Sequence, residues 1–248
     1  MTNSENISGA ASPDGGAAPA ASDGLRTAPA PPDSALTVYG PRLPVAIRYA
    51  GILADTGVSH GLIGPREVER VWERHVLNCA VVESLIPEGA TVVDVGSGAG
   101  LPGLAIAIAR PDLTIHLVEP MARRVAWLDD AVAMLDLTGV FVHRGRADEV
   151  DVTGSVVTAR AVSKLSTLAG WMAPLAEDGA LMLALKGASA ADELTRDRAA
   201  ATRAGWTDFE VVMAGDEVLD QPTTVIRARR HVRPVRSRGR DRRGPRRG

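Results

Sequence analysis

Apolar residues recur along this chain in two different rhythms, and the change between them falls near residue 90. From 43 to 86 the spacing is helical. LPVAIRYAGILADTG (43–57) carries Val45, Ile47, Ala50, Ile52 and Leu53 at helical intervals and ends at Gly57. A GLIG turn follows. Pro65 then suits the first turn of a second helix, PREVERVWERHVLNCAVVESLI (65–86), with Val68, Val71, Trp72, Val76 and Leu77 on one side. Pro87, Glu88 and Gly89 break the pattern.

From Thr91 short β-branched runs alternate with amphipathic ones. Strands are predicted over TVVDV (91–95), TIHLVE (114–119), GVFVHR (139–144), SVVTARA (155–161) and GALMLALKG (179–187). Helices are predicted over PGLAIAIAR (102–110), MARRVAWLDDAVAMLDL (121–137), SKLSTLAGWMAPLA (163–176) and SAADELTRDRAAATRAG (189–205). DFEVVMA (208–214) and TTVIRAR (223–229) close the series without a helix between them, so a hairpin at one sheet edge is expected. Strand and helix in alternation imply an α/β fold, a largely parallel sheet covered on both faces. The expected organisation is a disordered Ala/Pro/Ser/Gly-rich tail (1–38), a small N-terminal helical extension (43–88), a Rossmann-like domain (89–230) and a flexible Arg-rich tail (231–248).

Composition changes this picture at the ends. The net charge is only −2, yet Arg227 to Gly248 hold 11 Arg against one Asp, leaving the rest strongly acidic. A flexible cation of that kind suits a polyanionic partner, and Arg233, Arg236 and Arg238 are its candidate contacts. One cysteine excludes an internal disulfide and any zinc site built on several thiolates. The five histidines show no metal-ligand spacing, so no metal is expected. No apolar run approaches the roughly 20 residues that span a bilayer, and the start does not resemble a signal peptide. A cytoplasmic monomer without membrane contact is expected.

Candidate chemistry concentrates in VVDVGSGAGLPGL (92–104). Gly98-x-Gly100-x-x-Gly103 matches the dinucleotide fingerprint, while Asp94-x-Gly96-x-Gly98-x-Gly100 is a second frame over the same loop. Glu119, at the end of the second strand, is spaced to hold a ribose diol, which NAD and S-adenosylmethionine share. Asp94 separates them. A carboxylate at the mouth of the loop disfavours a pyrophosphate and favours the sulfonium and amino group of S-adenosylmethionine. Basic residues gather at the predicted carboxyl ends of the strands: Arg123 and Arg124, Arg144 and Arg146, Arg160 and Lys164, and Lys186. The chain's only two lysines are among them, which suggests a polyanionic substrate. Trp127, Trp171 and Trp206 read as core.

These residues carry a resemblance. The segment 92–128, with Leu101-Pro102-Gly103 as its most specific feature, resembles the cofactor region of the RsmG (GidB) family, seven-stranded S-adenosylmethionine-dependent methyltransferases that modify N-7 of a guanine in 16S ribosomal RNA of the small subunit. The likeness extends through VWERHVLNC (71–79), RGRADEV (144–150), TARAVSKL (158–165) and LALKG (183–187). The chain departs from it at SHGLIGPRE (59–67) and at Asn78-Cys79. The resemblance implies Gly96, Leu101, Ala147, Asp148 and Arg160 around the cofactor, and 16S ribosomal RNA or the small subunit as partner. Arg160 and Lys186 become candidates for positioning the guanine, and no classical acid or base is named. His75 matches the family's arginine–histidine pair, for which a packing or capping role is favoured over RNA contact. Three alternatives remain: a methyltransferase for a small molecule or protein, a non-catalytic RNA-binding assembly factor, and an NAD-dependent reductase.

Overall fold

The computed structural model describes residues 26–160 and 163–232. Arg233, Arg236 and Arg238 of the expected Arg-rich tail therefore lie outside the described residues, as does most of the N-terminal tail.

Seven strands form one sheet in the order β3-β2-β1-β4-β5-β7-β6. They are β1 (Thr91–Val95), β2 (Thr114–Glu119), β3 (Val140–Arg144), β4 (Gly154–Arg160), β5 (Ala176–Lys186), β6 (Trp206–Ala214) and β7 (Thr223–Arg230). β1 to β5 pair in parallel, and β7 runs antiparallel to both β5 and β6. The expected hairpin is present, with β6 as its outer strand. Chain order reverses between β1 and β4, so the carboxyl ends of those strands flank the crevice where ligands bind in doubly wound sheets.

The two faces have separate cores. On one face, α4 (Gly103–Ala109) and α5 (Ala122–Leu135) pack with the N-terminal helices against Val92, Ile115, Leu117, Leu183 and Leu185. On the other, α6 (Leu165–Met172) and α7 (Ala190–Arg203) cover Val93, Val95, Val157, Met182 and Ala184. Alternate residues of each strand go to opposite faces, so β1 reads as a continuous apolar run interrupted only by Asp94.

The N-terminal region departs from expectation in three ways. Residues 26–38 are not all tail: α1 (Asp33–Tyr39) is helical, its Ala35 and Tyr39 are buried, and Trp72 donates through Nε1 to the Pro29 carbonyl at 2.9 Å. Tyr39 and Ala35 supply the apolar contact that the surrounding Pro and Ser obscure. α2 (Leu43–Ile52) buries Ala46, Tyr49 and Ala50 rather than Ile47, which is 43% exposed, and continues into a π-type stretch over Leu53–Gly57. The second expected helix is a chain of short turns: 3-10 over Pro65–Arg70, π over Trp72–Val76, α3 over Leu77–Ala80 and 3-10 over Val81–Leu85. A run of such turns winds tighter and looser to fit the sheet face, which a uniform 3.6-residue period does not foresee.

Candidate functional site

The loop after β1 is built around backbone that side chains would obstruct. Gly100 has φ +78°, and a Cβ there would run into the Leu104 side chain. At Gly103 a Cβ would overlap Leu117 and approach Asp94 Oδ2 to 2.8 Å. This second glycine lets α4 start directly above the sheet.

Asp94 holds that arrangement from below. Its side chain is fully buried, and Oδ2 accepts a hydrogen bond from the Gly103 N–H at 3.0 Å, while Oδ1 has no partner among the described residues. Burial is the main influence on its acidity and pushes the carboxyl up to about 7, opposed by the Gly103 N–H and more weakly by Arg160. Asp94 therefore lies under the glycine loop rather than at its mouth. Ser97 adds a further tie, its hydroxyl donating to the Asp94 carbonyl at 2.9 Å.

A cavity of about 230 Å³ opens at the carboxyl ends of β1, β2 and β3. Gly96, Glu119, Met121, Ala147, Asp148 and Trp171 are among its walls. Glu119 is 2% exposed, and each oxygen accepts one backbone N–H, Oε2 from Gly98 at 3.1 Å and Oε1 from Met121 at 3.0 Å. A carboxylate oxygen accepts more than one hydrogen bond, so capacity remains for a pair of hydroxyls. A buried acceptor between small and apolar walls, with the polar Asp148 among them, is a lining of the chemical character an adenosine needs.

The other expected residues divide. Gly98, Gly100 and Leu101 belong to the loop beside the cavity but are not part of its wall. Arg160 ends β4, next to β1, and likewise stands outside the wall. Its Nη1 donates to the Arg74 carbonyl at 3.0 Å and its Nη2 contacts His75 Nδ1 at 2.8 Å. Lys186 is not free to meet a substrate. Its Nζ donates to the Ser163 carbonyl at 2.8 Å and to Glu193 Oε1 at 2.9 Å, with its side chain 9% exposed. That ion pair joins β5 to α7, so Lys186 is withdrawn as a positioning candidate. Among the RNA candidates, Arg123, Arg144 and Lys164 are exposed, Arg124 pairs with Glu119 at 3.7 Å, and exposed Arg146 lies 3.7 Å from Asp148.

Sequence reasoning misses two contributors. Trp171 is half-buried and forms part of the cavity wall, whereas Trp127 and Trp206 are buried in the cores on opposite faces of the sheet. Its helical position offers no signal separating it from them. Tyr49, in the extension, donates through its hydroxyl to the Ala99 carbonyl at 2.8 Å and the Gly100 carbonyl at 3.2 Å. Among the described residues no helix is long and apolar enough to cross a membrane, and no cluster of three or more His, Cys, Asp or Glu side chains is arranged to hold a metal ion.

The family model described as rRNA small subunit methyltransferase G (GidB) matches residues 42–222. The chain belongs to this family. A Salinispora tropica protein named ribosomal RNA small subunit methyltransferase G is 52% identical over 227 residues, 86% of this chain and 94% of that protein. A Renibacterium salmoninarum protein of the same name is 55% identical over 197 residues, 78% and 92% of the two chains. Among solved structures, M. jannaschii TYW2 in complex with AdoMet superposes with a TM-score of 0.51 at 15% identity, covering 64% of this chain and 76% of that one, a likeness of fold alone. GidB membership agrees with the resemblance carried by Leu101-Pro102-Gly103, and with a methyltransferase that uses S-adenosylmethionine. The NAD reading is set aside.

Proposed function

We propose that this chain transfers a methyl group from S-adenosylmethionine to N-7 of a guanine in 16S ribosomal RNA, acting as a monomer on the small ribosomal subunit in the cytoplasm. The observation that carries the reading is the match to the rRNA small subunit methyltransferase G family across residues 42–222. The cavity beside the glycine loop supports it chemically.

S-adenosylmethionine, when bound, supplies an electrophilic methyl group on a sulfonium. Glu119 would hold its ribose hydroxyls, Ala147, Met121 and Trp171 would flank the adenine, and Asp148 would meet the ring's amino group. The loop from Gly96 to Leu101 would lie along the amino-acid portion. Asp94, buried outside the cavity wall, would add negative charge from beneath once ionised. Guanine N-7 bears no hydrogen and presents its lone pair in the ring plane, so the site has no proton to remove and needs no general base. What remains is orientation. Arg160, at the end of β4, would orient the guanine or the cofactor's amino-acid end through the N–H groups that Arg74 and His75 leave unused. Arg123, Arg144 and Lys164 offer exposed charge to phosphates.

The test is transfer of labelled methyl from S-adenosylmethionine to small subunits purified from a strain lacking the gene, followed by borohydride and aniline cleavage. Label in the RNA with one cleavage site is expected. Cofactor binding without label in RNA would overturn the substrate and point to a small molecule, a protein or a non-catalytic assembly role.

A further inference from the structure

The two arms of the Arg160 guanidinium end on consecutive residues of the N-terminal extension, the Arg74 carbonyl and His75 Nδ1. An arginine N–H always donates, so Nδ1 must be an unprotonated acceptor and the ring hydrogen must sit on Nε2. Nε2 points toward Glu67 Oε1 at 3.6 Å and makes no hydrogen bond among the described residues. Glu67 is itself fixed, with Oε2 accepting the Gly64 N–H at 3.1 Å and Oε1 paired with Arg74 Nε at 3.1 Å. A path of oriented groups thus runs from the Gly64 turn through Glu67 and His75 to the carboxyl end of β4.

We propose that His75 is a positioning residue for methyl transfer: its Nδ1 holds the Arg160 guanidinium in the orientation the site uses, while the Glu67 carboxylate 3.6 Å from Nε2 favours the hydrogen on that nitrogen by its charge. The claim rests on the reading of the β1–β4 edge as the methyl-transfer site. The imidazole is 5% exposed, a setting in which a leucine or phenylalanine would fill the space without polar atoms to satisfy. Burial and the adjacent Arg160 charge hold the ring near a pKa of about 4, against Glu67, so the acceptor form persists through neutral pH. Cys79, beside Arg160, is a poor substitute: burial pushes its thiol up to about 11, so it stays protonated and its neutral sulfur is only a weak acceptor.

The experiment is a double-mutant cycle between His75→Phe and Arg160→Met, with His75→Gln and His75→Asn alongside, read on the S-adenosylmethionine Kd and on kcat and KM for small subunits. Asn keeps an oxygen where Nδ1 stands. Gln and Phe do not. His75→Phe and His75→Gln are expected to lose about 10-fold or more in whichever parameter Arg160→Met impairs, because a small misplacement of an orienting group costs that order of rate or affinity. His75→Asn should stay within about 3-fold of wild type, and His75→Phe should cost nothing further in the Arg160→Met background. A packing role alone would shift the thermal midpoint of all three His75 variants without that split. Additive losses, Asn no better than Phe, or an Arg160→Met variant unchanged in every readout would overturn the proposal. Coupling seen in cofactor binding while wild type labels no RNA would uphold the positioning role and reject the substrate instead.

Discussion

The Tyr49 hydroxyl reaches from α2 to the Ala99 carbonyl, 50 residues away in the chain, and donates to it at 2.8 Å in a fully buried setting. The extension is thereby part of the glycine loop's conformation, because both carbonyls that Tyr49 serves belong to that loop. Tyr49→Phe removes the donor that the buried Ala99 carbonyl relies on, while the Gly100 carbonyl keeps the Leu104 N–H at 2.7 Å, at a cost of about 1–3 kcal/mol. Urea denaturation should show that loss, and calorimetric titration should show weaker S-adenosylmethionine binding. Unchanged affinity would mean the loop keeps its shape without the clamp.

Asp94 predicts a pH dependence. Its folded pKa of about 7 lies above the ordinary 3.8, so between those values the folded chain keeps a proton that the unfolded chain releases. The group's contribution to stability is full below the lower value and is lost as pH rises through about 7. Asp94→Asn lacks this loss, so its stability relative to wild type should climb across that window. The carboxylate's appearance should also sharpen preference for the cationic S-adenosylmethionine over S-adenosylhomocysteine as pH rises. In Asp94→Asn the preference should be flat.

Lys186 and Glu193 are expected to matter for folding. Glu193 Oε1 accepts both Lys186 Nζ at 2.9 Å and the Leu165 N–H at 2.6 Å, so it ties together β5, α6 and α7. Lys186→Met strands a mostly buried carboxylate and should cost about 3 kcal/mol, whereas Lys186→Met with Glu193→Gln should recover part of it. The KM for small subunits should not move in either variant beyond what unfolding explains.

Trp171 supplies an optical readout. It is one of four tryptophans, and Trp72, Trp127 and Trp206 are buried away from the cavity. Emission should change as S-adenosylmethionine is added, and Trp171→Phe should abolish the change. A signal surviving in Trp171→Phe would place the ligand elsewhere.

Exposed charge at the strand ends gives the last expectation. Replacing Arg123, Arg144 or Lys164 by Gln should weaken RNA binding and lower the salt slope by about 0.7–0.9 for each phosphate that is no longer neutralised. Cofactor affinity should be untouched.

Much of this was legible in the chain because the signals were local. Alternation of apolar runs marks β1 to β5, the missing helix between residues 214 and 223 marks the terminal hairpin, and Glu119 follows from strand length and spacing. What stayed hidden depends on packing between distant segments. Whether Asp94 opens to the cavity or lies beneath it depends on where α4 begins, and that depends on the space left at Gly103. Lys186 looks available in sequence, and only the fold brings Glu193 of α7 back onto it. Trp171 and Trp206 are both helix-associated in sequence, yet only the cavity separates their roles.

The seam between extension and sheet also contains the chain's single sulfhydryl. Cys79 is wholly buried against Arg160, and its pKa, pushed up to about 11 by burial, leaves almost no thiolate at neutral pH. Alkylating reagents therefore have to wait for that seam to part. The rate at which one equivalent of reagent is consumed becomes a clock for local opening, separable from global unfolding by its dependence on denaturant. Any ligand that tightens the β1–β4 edge should slow the clock, so a chemical label of the extension reports on events in the crevice.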